Sequence, residues 1–166
     1  MIMKKSCLPP LTGLLKEIIR ITKLGGRGSK KELRRMTGKM GKILIDTSII
    51  IEHLRLKNKK QTILYKLFQN KHSLFASILT HTESYAGKSV WEKESVRKHL
   101  KNILAGIKIL PLEEITSEKA GEISARFNLE IVDAIIAATS IIHNLDLATL
   151  NIKDFKKVDG IKLFKN

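Results

Sequence analysis

From Lys42 onward the chain alternates between two rhythms. Runs of consecutive apolar residues, the pattern of strands buried on both faces, occur at 42–46, 73–79, 107–112, 145–150 and 161–164. Between them apolar positions recur every three or four residues, at 49–56, 59–70, 90–105, 117–127 and 132–144, as in helices that bury one face. Gly106 and Pro111 punctuate the third strand, and Asp159-Gly160 precedes the last. This strand–helix rhythm predicts a parallel sheet covered by helices on both faces, a three-layer α/β/α sandwich occupying residues 40–166.

Residues 1–39 follow a different pattern. Leu11, Leu14, Leu15, Ile18, Ile19 and Leu24 share one helical face, with Lys16, Arg20 and Lys23 elsewhere, until Gly25-Gly26-Arg27-Gly28-Ser29 breaks any helix. The stretch 30–39 is a basic run better suited to solvent than to a core. The chain carries a formal charge of +15; residues 1–39 hold 11 Lys and Arg against 2 Asp and Glu, and the remainder 20 against 14. Both parts are therefore basic, which suits a polyanionic partner such as nucleic acid and equally suits simple solubility. Because Met40 directly precedes the first strand, residues 1–39 are expected to be a basic extension. It is either an arm or a segment upstream of a true start at Met40.

Composition removes several classes. Cys7 is the single cysteine, so no internal disulfide and no Cys-based zinc site can form, and a reducing cytoplasm suits the chain. No apolar run approaches the roughly 20 residues of a membrane span. No Gly-x-Gly-x-x-Gly follows the first strand, against a dinucleotide site. Asp46 stands without the acidic neighbour expected of a phospho-accepting receiver domain.

The candidate chemistry is acidic. Asp46 ends the first apolar run, Glu83 follows the second on a helix expected to begin near Thr82, and Asp133 opens the helix of residues 132–144. In a parallel sheet all three fall along the carboxyl edge, where ligands bind in open α/β folds. Carboxylates brought together there would need a cation; Mg²⁺ takes such oxygen ligands, and Mn²⁺ accepts similar ones. Each acid also has a local explanation. Thr80-His81-Thr82-Glu83 fits a capping box, Asp133 could complement a helix dipole, and Asp46 could turn the chain. The fourth strand ends in Thr149 and Asn151 at the same edge, with Asp154 three residues on; Asn151 and Asp154 could simply form a turn. Ser48 and Thr149 could orient a carboxylate or cap backbone. The five histidines read as surface or boundary residues, and Trp91 as packed on a helix face.

Taken together, Ile43-Leu44-Ile45-Asp46-Thr47-Ser48, Thr82-Glu83, Asp133-Ala134-Ile135-Ile136-Ala137-Ala138-Thr139 and Ala148-Thr149-Leu150-Asn151-Ile152-Lys153-Asp154-Phe155 resemble the PIN-domain family, most closely the VapC-type toxins of prokaryotic toxin–antitoxin pairs. The resemblance runs from about Met40 to the C-terminus, with the motifs in family order. It implies an α/β/α sandwich with Mg²⁺-dependent endoribonuclease activity, a VapB-like antitoxin partner and a homodimer. Carried over by position, Asp46, Glu83 and Asp133 match the family's main acids, with Asp46 and Asp133 as direct metal ligands and Glu83 binding metal or orienting water. The family's fourth acid falls at Asn151, which adds no charge; Asp154 could compensate. That departure leaves a catalytically weakened RNA-binding module as the alternative. Asn128 stands where relatives carry Gly, and Asn tolerates the positive φ such a turn requires. Lys57, Lys59, Lys60, Lys88 and Lys93 are candidates for holding an RNA backbone.

Overall fold

The computed structural model describes residues 40–165; the expectations for residues 1–39 lie outside the described residues. The strands are β1 (Lys42–Ile45), β2 (Ser73–Ser77), β3 (Lys108–Leu110), β4 (Asp146–Ala148) and β5 (Lys162–Leu163). The helices are α1 (Thr47–Arg55), α2 (Ile63–Gln69), α3 (Ile78–Ala86), α4 (Lys88–Glu92), α5 (Glu94–Leu104), α6 (Glu114–Phe127), α7 (Ile131–Ile142) and α8 (Ile152–Phe155), with a 3₁₀ turn at Lys59–Gln61. Every strand pairing is parallel, and the order across the sheet is β3-β2-β1-β4-β5. The sandwich expected from the alternating pattern is the fold observed.

β1 is apolar from Ile43 to Ile45 because those residues serve two cores. Ile43 and Ile45 pack into one cluster with Ile49, Leu64, Leu74 and Leu100, while Leu44 packs into the other with Ile123, Ile136, Leu147 and Phe155. Successive side chains on a strand point to opposite faces, so a central strand between two helical layers must be apolar at every position. The order of the sheet matters equally. The chain runs outward from β1 to β2 and β3, then returns to the other side of β1 as β4. The carboxyl ends of β1 and β4 therefore flank the topological switch point, the crevice where open α/β sheets bind ligands.

Several boundaries differ from the apolar pattern. The run 73–79 is strand only to Ser77, whose hydroxyl accepts the Thr80 N–H at 3.0 Å and starts α3 there. Ile78 and Leu79 are thus the first turn of a helix. The region 90–105 is two helices, because Lys93 is extended (φ −124°, ψ 107°) between α4 and α5. Thr62 divides 59–70 in the same way, accepting the Tyr65 N–H at 3.3 Å. Asn128 does adopt the left-handed conformation (φ 48°, ψ 53°) and ends α6.

Three single-residue expectations are corrected. His53 is buried, with Nδ1 2.7 Å from the Thr62 hydroxyl, because α1 faces α2 and α5 there. Trp91 is 62% exposed rather than packed away. Lys59 is not free for a ligand: its ammonium group bonds the His53 and Leu54 carbonyls at the end of α1. Among the described residues no helix is long and apolar enough to cross a membrane.

Candidate active site

Asp46 is the best-held group at the carboxyl edge. Its backbone N–H continues the sheet by bonding the Ala148 carbonyl at 3.0 Å, and its φ and ψ (−79°, 156°) make it the N-cap of α1. The side chain is 5% exposed. One carboxylate oxygen accepts the Thr47 N–H at 2.7 Å; the other accepts the hydroxyls of Ser48 and Thr149, both at 2.6 Å. The protons on those hydroxyls are fixed by the rest of the network. Ser48 Oγ accepts the Leu150 N–H at 3.1 Å and Thr149 Oγ1 accepts the Asn151 N–H at 2.9 Å, so each hydroxyl receives from backbone and donates to Asp46. The two hydroxyls join the end of β1 to the turn after β4. Both residues thus bond the carboxylate and cap backbone N–H groups at once.

Glu83 reaches the same edge from α3. It lies in the second turn of that helix, six residues beyond Ser77, so the capping box based on Thr80 does not form. Thr80 is buried, and its hydroxyl receives the Ser77 hydroxyl at 3.1 Å. Instead, Glu83 Oε2 accepts the Thr47 hydroxyl at 2.6 Å, an ion–dipole contact to the residue after Asp46. Thr47 carried no role in the sequence reading. Its backbone holds Asp46 and its side chain holds Glu83, which makes it the bridge between the two acids.

Asp133 lies in the first turn of α7, half-buried, where the helix dipole favours a negative charge. Burial outweighs that effect. Desolvation first, then the charges of Asp46, Glu83, Glu130 and Asp154, push its carboxyl from 3.8 up to about 6. Asp46 and Glu83 are among the charges that raise it. Glu130, one helical turn before Asp133, was not anticipated, although an acid three residues upstream on a helix start was legible. Asn151 turns its amide nitrogen to Asp133 Oδ2 at 3.5 Å, the limit of a hydrogen bond. Asp154 points outward in α8 and pairs with Lys157 at 3.7 Å.

The acids share an electrostatic neighbourhood without forming a finished cage. Among the described residues no three Asp, Glu, His or Cys side chains already stand within reach of one metal ion. Asp46 is turned toward its hydroxyls, Glu83 toward Thr47 and Asp133 toward Asn151, so each anion is drawn to its own donor. The donors present are all hard oxygens, the set that suits Mg²⁺ or Mn²⁺ and not softer metals.

An apolar groove of about 550 Å³ runs beside this crevice, lined by Ser48, Ile51, Glu52, Arg55, Leu56 and Leu150. Leu56, Leu150, Ile152 and Ile131 remain largely exposed around it and around the carboxyl edge.

A parallel sheet whose strand order reverses at β1, with Asp46 at the carboxyl end of β1, Glu83 in the second turn of α3 and Asp133 in the first turn of α7, defines a class. The PIN domain family profile matches residues 43–161, and the chain belongs to that family. Within it the curated relatives are VapC proteins. "Ribonuclease VapC19" of Mycobacterium tuberculosis is 30% identical over 117 residues, covering 68% of this chain and 90% of that protein. "Ribonuclease VapC1" of Rickettsia felis is 30% identical over 130 residues, covering 73% and 93%. Among solved structures, a toxin–antitoxin complex from Klebsiella pneumoniae matches at 25% identity with a TM-score of 0.58, covering 72% of this chain and 94% of that one. DNA-bound VapBC from Salmonella typhimurium matches at 20% identity with a TM-score of 0.64, covering 75% and 98%, a likeness of fold.

Proposed function

We propose that this chain is a metal-dependent endoribonuclease acting as the toxin of a VapBC-type toxin–antitoxin pair. The single observation that carries the reading is the hydrogen-bonded set at the switch point, in which Thr47 ties Glu83 to the residue after Asp46, Thr149 ties Asp46 to the end of β4, and Asn151 meets Asp133. Three carboxylates that disfavour one another's charge are the arrangement a divalent cation relieves. Asp46 and Asp133 would hold it, with Glu83 as a third ligand or as the group that orients water. A bound Mg²⁺ would neutralise these charges and polarise a phosphodiester and the water attacking it.

The residues themselves divide the work. Asp46 is fixed in position by three donors, so little reorganisation is needed when it engages a ligand. Glu83 uses one oxygen on Thr47, leaving the other for water or cation. Burial and the neighbouring carboxylates favour a proton on Asp133, which a bound cation would displace. Asn151, at the position where the family resemblance implies a fourth acid, places an uncharged amide against Asp133. This favours one tightly held ion over two, and it is also the one observation that favours the second reading, an RNA-binding module with weakened catalysis.

The support for a protein partner is the apolar groove beside the acids. Glu52, which lines it, has a buried carboxylate oxygen with no hydrogen-bond partner among the described residues. A VapB-like antitoxin carrying apolar side chains and a cation would satisfy both features. A homodimer is part of the same proposal.

The test is cleavage of end-labelled RNA by the purified chain. We expect cleavage with Mg²⁺ or Mn²⁺, none with excess chelator, and a loss of at least about 100-fold in Asp46→Asn with an unchanged circular dichroism spectrum. Cleavage by Asp46→Asn at the native rate would exclude the mechanism; RNA binding without cleavage in any metal would select the second reading.

A further inference from the structure

Trp91 is the sole tryptophan of the chain, and it is 62% exposed. A single exposed apolar side chain is ordinary. This one is also held in place. Its indole N–H donates to the Tyr85 carbonyl at 2.7 Å. Its ring leans on Tyr85, with centroids 6.3 Å apart, and Tyr85 in turn contacts His81 at 4.9 Å. The Arg97 guanidinium stands 6.0 Å from the indole centroid. Tyr85 itself is partly buried and packs against the core cluster that contains Ile43, Ile45 and Leu74. The result is a row, His81–Tyr85–Trp91–Arg97, whose inner members are fixed and whose outer ring meets solvent.

The row begins on the helix that also carries Glu83. His81 and Tyr85 stand two residues to either side of Glu83 on α3, a spacing that turns them to another face of that helix. α3 starts at the carboxyl end of β2, and α5 ends where it feeds the amino end of β3. That topology leaves α4 and the first turns of α5 on the carboxyl side of the sheet, the side of Asp46 and Asp133. The surroundings are cationic. Lys93, Arg97, Lys98 and Lys101 have no acidic partner within ion-pair distance among the described residues, whereas Lys88 is paired with Glu92 at 3.4 Å. Arg97, Lys98 and Lys101 line a shallow concavity of about 260 Å³ with Glu94.

We propose that Trp91, backed by Tyr85 and Arg97, is a base-stacking platform that positions single-stranded RNA flanking the scissile phosphate. The assignment rests on the nuclease reading of the acids. Unpaired bases present flat aromatic faces that stack on a rigid indole, and their phosphates are taken by the unpaired cations of α5. A duplex hides those faces, so it gains only the electrostatic part. Trp91 is a positioning residue. It selects unpaired RNA and sets its register without touching the reacting atoms.

Because Trp91 is the only tryptophan, its emission reports on this position directly. The full chain is titrated, in chelator and low salt, with a 12-nucleotide single-stranded RNA and with a duplex of the same length, following both tryptophan emission and RNA anisotropy. We expect saturable quenching by the single strand and little by the duplex. Trp91→Ala should bind the single strand about tenfold more weakly, Trp91→Phe should retain most of the affinity, and both should keep the native melting temperature. In Mg²⁺, Trp91→Ala should raise KM more than it lowers kcat. Binding without quenching, no binding at all, or equal affinity in Trp91→Ala would overturn the platform. So would a Trp91→Ala protein that changes its molar mass in light scattering while binding RNA normally, since the ring would then belong to a protein contact. Quenching that persists in a chain that cleaves no RNA in any metal would remove the nuclease reading and keep the platform; normal cleavage by Trp91→Ala at native KM would do the reverse.

Discussion

Two hydroxyls do more for the acidic edge than their size suggests. Ser48 and Thr149 each receive a backbone N–H and donate to the same oxygen of Asp46, so removal of either leaves both a carboxylate and an amide short of a partner. Thr149→Val, nearly the same shape, is expected to lower unfolding free energy by about 1–3 kcal/mol in denaturant titration and to reduce RNA cleavage in parallel. Unchanged stability would mean that water replaces the hydroxyl fully. Asp133 supplies a second test at this scale. Its folded value of about 6 lies above the 3.8 of an unperturbed Asp, so the metal-free folded protein binds that proton more tightly than the unfolded chain does. The resulting stabilisation is complete below about pH 4 and is lost as pH rises through about 6. Discounted for partial exposure, the loss is on the order of 1–2 kcal/mol. Mg²⁺ should therefore raise the melting temperature more at pH 7.5 than at pH 5, and Asp133→Asn should abolish that difference. Equal metal-induced shifts at both pH values would contradict the assignment.

At the scale of elements, the position of Glu83 depends on where α3 begins. Ser77 sets that point by capping Thr80, and the helix then carries Glu83 to Thr47. Ser77→Ala is expected to destabilise the fold by about 1 kcal/mol and, by loosening the first turn, to lower kcat. Denaturation and steady-state cleavage measure the two effects; loss of stability with unaltered kcat would show that the Thr47 contact alone suffices. This element also marks the limit of what the pattern of residues conveyed. The run 73–79 is apolar throughout, and nothing in its periodicity separates five strand residues from the helical turn that follows. Ser77 is a good cap in retrospect, yet the Thr80–Glu83 spacing offers a competing capping box, which fails because the helix already begins at Ser77 and Thr80 lies inside it. Likewise 90–105 reads as one helix because an extended Lys93 breaks it without Gly or Pro. β1 was legible because both its faces are buried, and Asn128 because only a few residue types accept positive φ.

For the molecule as a whole, the strand–helix rhythm revealed the sandwich, and the carboxyl edge followed from parallel connectivity. The order of the sheet was not readable, since each strand is apolar enough to lie beside any other. That order is what makes β1 and β4 neighbours and lets Thr149 reach Asp46 across 103 residues of sequence. The same is true of Trp91 and Arg97, which the helical pattern separates and the break at Lys93 brings together. The three acids were visible as strand-end and helix-start residues, with Ser48 and Thr149 as candidates beside them; the bridge through Thr47 depends on side-chain packing, which carries no sequence period. The central claim is that Asp46, Glu83 and Asp133 form one cation site. The most direct measurement is titration of the full chain with Mn²⁺, read by electron paramagnetic resonance of the free ion. We expect saturable Mn²⁺ binding at neutral pH, competed by Mg²⁺ and weakened at least about tenfold in each of Asp46→Asn, Glu83→Gln and Asp133→Asn. Native affinity in any one of those variants, or no Mn²⁺ uptake by the unaltered chain, would contradict it.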